Sequence, residues 1–215
     1  MAITKTVFTA TTLADNEPEV LAFLQANATG YFDSITAAGD VISCVIGSVT
    51  ALSLSFNSTD KTTLSLANGT TVQVNTVSAN ERFIAGYKTD YGVLLEGSSG
   101  QTYIITKTNT NSTAVVAGLK TGASACTVYS ADIANNSAWF YPGTGGSAVV
   151  ARQKYVINPE AALTTLTPLP LGNGGTYAPN LLVSCFTENG AITTVKRLVV
   201  NDVEYVYDGA FALRA

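Results

Sequence analysis

Asp202, Glu204 and Asp208 form the densest acidic cluster in the chain, and two carboxyls about 5 to 10 Å apart suffice for glycoside hydrolysis without any histidine. On a strand, Asp202 and Glu204 would share one face while Val203, Tyr205 and Tyr207 took the other. That alternation reads more simply as a solvated face over an aromatic core face than as a catalytic pair. The same acids could bind calcium, but the DxDxDG loop is absent and no further ligand can be assigned. Gly143-Thr144-Gly145-Gly146-Ser147 is glycine-rich, yet it lacks the Lys and the Gly-Lys-Ser/Thr order of a phosphate-binding loop. The chain has no histidine, which removes the commonest general base, the commonest transition-metal ligand and every Ser/His or Cys/His nucleophile pair. The residues therefore predict no catalytic site, no cofactor and no metal.

Trp139-Phe140-Tyr141 is the only place where three aromatics stand together, beside Asn135, Asn136 and Pro142. In a strand such neighbours would split between two faces, so at least one needs a cover or is exposed. Two readings follow. The aromatics are buried against the same chain or a sister subunit, or they form a recognition surface whose rings and Asn amides suit a sugar or protein partner. Tyr177 could join either arrangement. Cys44, Cys126 and Cys185 lie in apolar, strand-like runs without a CxxC spacing, which reads as buried thiols acting as small hydrophobes.

Composition narrows the class of partner. Eleven Lys and Arg against fifteen Asp and Glu give a net charge of −4, opposed to the basic stripe that phosphate backbones require, so no nucleic acid is expected. The longest apolar runs, such as Val41-Ile42 and Val45-Ile46, fall far short of the ~18 residues of a membrane span, and no membrane partner is expected. The N-terminus lacks the continuous apolar region of a secretory signal, which points to cytoplasmic synthesis or to a signal already removed. Only 12% of residues are charged, whereas Thr, Ser, Asn and Gly make up 79 of 215. A surface of hydroxyls and amides desolvates more easily than one of Lys and Glu, so a homo-oligomer is expected.

The elements that must position these residues read as follows. Asn16 as cap, Glu19 three residues on, Pro18 in the first turn and Gly30 past the end predict a helix at about 17 to 28. Val20, Leu21, Leu24 and Ala28 would form its buried stripe, with Glu17 and Glu19 near its positive end. Thr, Val and Ile make up 61 residues, and period-two alternation such as Leu52, Leu54 and Phe56 predicts strands through most of the remainder. The expected fold class is mainly β: an antiparallel sandwich or jelly-roll-like body with one short N-terminal α-helix. It reads as a single β-rich unit over residues 1–215, with a subdivision into two small β domains conceivable near 120–124.

Two Asn-Gly pairs specify hairpins. A three-residue loop Ala67-Asn68-Gly69 pairs Leu64 with Val72 and sends both inward, whereas a two-residue turn would waste the core face. The same rule at Glu188-Asn189-Gly190 pairs Phe186 with Ile192. Two stretches, 130–147 and 167–180, are dense in Gly, Pro and Asn and read as long irregular loops. Phe211-Ala212-Leu213 reads as a last strand tucked into the body.

In manner the chain resembles structural proteins of tailed bacteriophage virions. The resemblance is carried by a short helix after a β-like N-terminal arm, the hairpins Asn68-Gly69-Thr70-Thr71 and Glu188-Asn189-Gly190-Ala191-Ile192-Thr193, and the ending Val203-Glu204-Tyr205-Val206-Tyr207-Asp208-Gly209. It implies a non-enzymatic virion component present in many copies and assembled after synthesis in the bacterial cytoplasm. The implied partners are further copies of itself and other virion proteins. The expected place is the tail or baseplate, with capsid decoration or a head fibre as an alternative, and a glycan-binding adhesin module that contacts a host-surface glycan as another.

Overall fold

Helix formation begins at Thr12, one turn before the position expected. In the computed structural model, which describes residues 3–69, 71–76, 81–120, 126–134, 137–141, 166–170, 177–184, 195–200, 202–208 and 211–215, helix α1 spans Leu13–Asn27. The Thr12 hydroxyl accepts the Asp15 N–H at 3.2 Å and donates to the Asp15 carboxylate at 2.7 Å, a reciprocal N-cap. Asn16 is no cap because it is buried, and its amide grips the backbone of Phe83. Its Nδ2 donates to the Phe83 carbonyl at 3.1 Å and its Oδ1 accepts the Phe83 N–H at 2.7 Å. Val20, Leu24 and Ala28 are buried as the stripe predicted, Phe23 joins them, and Leu21 is half-buried.

The strands form three antiparallel sheets. The central sheet has seven strands in the order β1 (Thr4–Val7), β7 (Phe83–Lys88), β8 (Gly92–Gly97), β9 (Gln101–Lys107), β10 (Thr113–Lys120), β11 (Cys126–Asp132) and β12 (Ser137–Tyr141). A helix-side sheet runs in chain order through β2 (Ser34–Ala38), β3 (Val41–Ile46), β4 (Val49–Ser55), β5 (Lys61–Ser65) and β6 (Thr71–Thr76). The C-terminal sheet has the order β13 (Leu166–Pro170), β14 (Tyr177–Ser184), β17 (Phe211–Arg214), β16 (Val203–Tyr207), β15 (Lys196–Val200). The fold is thus the mainly β, antiparallel sandwich with one short helix that the sequence predicts, built in three layers.

The central sheet is the shared wall. Phe83, Val93, Leu95, Tyr103, Ile105, Val115 and Ala117 pack with α1 and the helix-side sheet in one core cluster. Ala85, Tyr87, Leu94, Ile104, Ala114 and Val116 pack with Ala178, Leu181, Val206, Phe211 and Leu213 in the other. Successive side chains alternate between the two clusters because a strand has a two-residue period. The exception lies in β7, where Phe83 and Ala85 share parity but face opposite ways. Phe83 pairs with Gly97 and Ala85 with Glu96, so a β-bulge inserts one residue and switches the face.

The hairpin expected at Ala67-Asn68-Gly69 is present. Leu64 pairs with Val72 and Ser65 with Thr71, Gly69 has φ +84°, its N–H donates to the Leu66 carbonyl at 2.9 Å, and Leu64 is buried. A glycine takes that left-handed backbone without the strain a Cβ would bring. The hairpin at Glu188-Asn189-Gly190 and the strand expected at 148–157 lie outside the described residues. So do residues 121–125, on whose two sides β10 and β11 pair from Ala114 with Asp132 to Lys120 with Cys126.

Candidate interaction surface

Of the three acids Asp202, Glu204 and Asp208, the last two are engaged locally and Asp202 shapes a turn. Asp202 is not on a strand with Glu204, as the alternation implied, but in the turn between β15 and β16, where its φ is +62°. Val200 and Val203 pair across that turn, and Asp is among the few residues that accept such a backbone. Glu204 forms an ion pair with Arg197 on the adjacent strand. Asp208 is buried and its Oδ1 accepts the Phe211 N–H at 2.7 Å, which closes the turn from β16 into β17. Among the described residues no group of three or more His, Cys, Asp or Glu side chains comes together in a way that could hold a metal ion.

Two further carboxylates serve as tethers. Glu96, buried in the central sheet, accepts the Tyr87 hydroxyl at 2.9 Å and the Val195 N–H at 3.1 Å, joining the central layer to the start of β15. Burial, and secondarily Glu96, pushes the Tyr87 phenol far above its usual range. Glu19 points back along the chain, accepting the Thr9 hydroxyl at 2.6 Å and the N–H groups of Thr9 and Ala10. The Thr9 hydroxyl is the chief reason its carboxyl sits below the ordinary carboxylate range. Cys44 is buried in the helix-side core, where desolvation pushes its thiol up to about 12. Cys126 and Cys185 have no described side-chain environment.

The aromatic segment is a strand rather than part of an irregular loop. Trp139, Phe140 and Tyr141 stand in β12, opposite Ser130, Tyr129 and Val128 of β11. Trp, Phe and Tyr are themselves strand-favouring, and the Asn, Gly and Pro that made the stretch read as loop flank β12 rather than stand in it. Asn135 and Asn136 lie outside the described residues. The second stretch read as loop, 167–180, likewise contains most of β13 and the start of β14. Tyr177 opens β14 at 39% exposure. Its N–H donates to the Asn109 side chain at 3.2 Å and its carbonyl accepts the Asn109 N–H at 2.9 Å, so the turn between β9 and β10 holds it. These contacts join Tyr177 to that turn, and none of them reaches β12.

What the sequence did not reveal is how the sheet edges differ. A sheet edge presents unpaired N–H and C=O groups, and proteins blunt it with proline, charge or a covering element. Edge strand β13 carries Pro168 and Pro170, which lack the N–H another strand would need. Along edge strand β2, the Ile35 carbonyl accepts the Gln25 Nε2 of α1 at 2.9 Å. Edge strand β1 has no such cover among the described residues, and all four of its residues are exposed. Between it and α1 lies a cleft of about 390 Å³ lined by Val7, Phe8, Glu19, Ala22, Phe23 and Ala26 among others. Val7 is 62% exposed, and Val199 on edge strand β15 is 63% exposed. A fixed two-residue period in TKTV or KRLVV could not flag these valines, because exposure depends on where the facing layer ends.

The fold and this surface define a three-layer antiparallel β protein whose edge strands β1 and β15 have no further strand paired to them among the described residues. No protein-family model matches the chain, and no curated protein or solved structure does either.

Proposed function

We propose that this chain is a non-enzymatic virion structural protein of a tailed bacteriophage, a self-assembling component of the tail or baseplate present in many copies. The observation that carries the self-assembling part is the pairing of a double-cored β body with edge strands, β1 and β15, that have no partner strand among the described residues and expose Val7 and Val199. A surface of hydroxyls and amides favours such contacts, since little charge has to be desolvated to make them. Two of the three carboxylates that first suggested catalysis are engaged in organising the chain: Asp208 closes a turn and Glu204 pairs with Arg197. The resemblance in the sequence supplies the virion setting.

Negative-stain electron microscopy of the purified chain over a range of concentrations tests the reading. Rings, tubes or other closed assemblies of constant size are the expected result. Single particles of one chain at every concentration would remove self-assembly, and a decoration protein that needs a pre-formed lattice would then be the better description.

A further inference from the structure

We propose that Lys88 and Lys107, gathered at the Tyr31 ring at one end of the central sheet, form a binding site for a small dianionic oxyanion of the phosphate or sulfate class. The site does not depend on the self-assembly reading above. The strand register puts both lysines on one face. Lys88 lies opposite Val93, and Val93 opposite Ile105; Lys107, two residues beyond Ile105, shares that face. Val93 and Ile105 belong to the core cluster that includes α1, so both lysines stand on the helix side, where the chain after α1 brings in Tyr31. The Lys88 ammonium lies 5.6 Å from the centre of that ring and the Lys107 ammonium 5.3 Å. One ring thus brings two positive charges within about 11 Å of each other. Hydrogen bonds fix the arrangement: Lys107 donates to the Thr113 hydroxyl at 3.2 Å, and that hydroxyl donates to the Tyr31 carbonyl at 2.7 Å.

Among the described residues no anion answers these charges at close range. Of the fifteen Asp and Glu in the chain, all but Glu160 and Glu188 are described, and neither Lys88 nor Lys107 forms an ion pair with any of those thirteen. Thr113 is a neutral acceptor. Burial raises the Tyr31 phenol above its ordinary range, so the ring keeps its proton and offers the lysines a π face rather than a negative oxygen. Asp90, exposed in the turn from β7 to β8, acts on Lys88 from a distance, but desolvation outweighs it and holds that ammonium below its usual pKa. Asp132, at the same end of the sheet, stands on the other face opposite Ala114 and takes the Ser112 hydroxyl. Further positive charge lies close by. Lys5 sits over Tyr87, the neighbour of Lys88, and Arg214 over Tyr91 in the β7–β8 turn. Four of the eleven Lys and Arg therefore meet at one end of one sheet, in a chain whose net charge is −4.

A bound oxyanion supplies the missing partner. Lysine holds phosphate as a point charge on a flexible stem, so the two ammoniums can take different oxygens of one ion. A dianion balances both, where a single carboxylate would leave one uncompensated. Lys88, Lys107 and Tyr31 are all half-buried, and charges so placed are screened less by salt than charges on open surface.

Lysine acetylation of the full chain by N-acetoxysuccinimide, followed peptide by peptide in a mass spectrometer, tests the site. Inorganic phosphate, compared with sodium chloride at equal ionic strength, is expected to slow labelling of Lys88 and Lys107 together and saturably, and to leave the exposed Lys5 on the other face unchanged. Sulfate is expected to compete with it. Calorimetric titration with phosphate gives the second readout: Lys88→Met and Lys107→Met, which keep most of the stem, are each expected to weaken binding about tenfold or more. Lys88→Arg and Lys107→Arg, which keep the charge, are expected to bind within a few-fold of the parent chain. Circular dichroism checks the fold of each variant, and the labelling result on the unaltered chain decides if the methionine variants do not fold. Phosphate that protects no more than chloride does, or that slows all three lysines equally, overturns the site, as does phosphate binding that survives both methionines.

Discussion

The two faces of the central sheet meet their covering layers in the same way, with an aromatic ring seated on a glycine, but they differ in how well that ring is sealed. On the helix side Phe23 lies over Gly86, where a Cβ would come within 2.5 Å of the ring. On the other side Phe211 lies over Gly118, where a Cβ would come within 2.4 Å. Phe211 is fully buried in the middle of its cluster. Phe23, although buried, also lines the cleft between β1 and α1. One ring is locked on all sides and the other has open space beside it. Identical local chemistry therefore has unequal consequences, because the cost of a change depends on whether the surroundings can yield.

Truncating the rings should separate the faces most clearly. Phe211→Ala is expected to destabilise the chain by about 3–5 kcal/mol, the range for a large aromatic removed from a closed core, and Phe23→Ala by at least ~1 kcal/mol less, since its void opens into the cleft. Urea unfolding of the two variants, read as midpoints at constant slope, would break the comparison if Phe23→Ala proved the costlier. A smaller effect is expected from filling the glycines. Gly118→Ala should cost about 1–3 kcal/mol by overpacking, and Gly86→Ala less, because Phe23 can move toward the cleft while Phe211 cannot. Equal losses in thermal unfolding would show both rings to be equally confined.

The smallest effect concerns the tether that holds the chain between β1 and α1. Glu19 has its carboxyl pKa lowered in the folded state, so it contributes stability above the ordinary carboxylate range near 4.5, and that contribution is lost as pH falls through the lowered folded value. Because Glu19 is largely solvated, screening holds the contribution to about 0.5 kcal/mol. Glu19→Gln is expected to lower stability by about that amount at pH 7 and to converge with the parent chain in acid. A difference that persists unchanged at acid pH would show that the carboxylate charge is not what clasps Thr9 and Ala10.

Much of the frame is legible in the residues alone. The strands around Leu52 and Leu54 and the hairpin at Gly69 follow from alternation and turn chemistry, which act over a few residues. The helix is legible in its stripe but not in its start. Asn16 has the type of a cap, and only the backbone of Phe83, 67 residues away, draws it into the core and leaves Thr12 to cap. Strand β12 is hidden by its flanks: Asn135-Asn136 before it and Pro142-Gly143 after it carry the loop signal, and its pairing with β11 is seen only in the tertiary structure. Strands β8 and β9, buried at nearly every position, carry the apolar runs Val93-Leu94-Leu95 and Tyr103-Ile104-Ile105. Such runs mark strands covered on both faces.

By itself, then, the sequence determined local matters: a mainly β chain, one amphipathic helix, where turns fall and which strand positions are apolar, all set by neighbours within a turn or a hairpin. Only the tertiary structure decided that one sheet serves as the wall between two cores, that a bulge at β7 hands Phe83 to one and Ala85 to the other, and that the layers end so as to leave Val7 and Val199 in the open. The physical reason is that burial is a property of pairs of surfaces. A residue's type states what it would bury, and only the layer opposite settles whether it does.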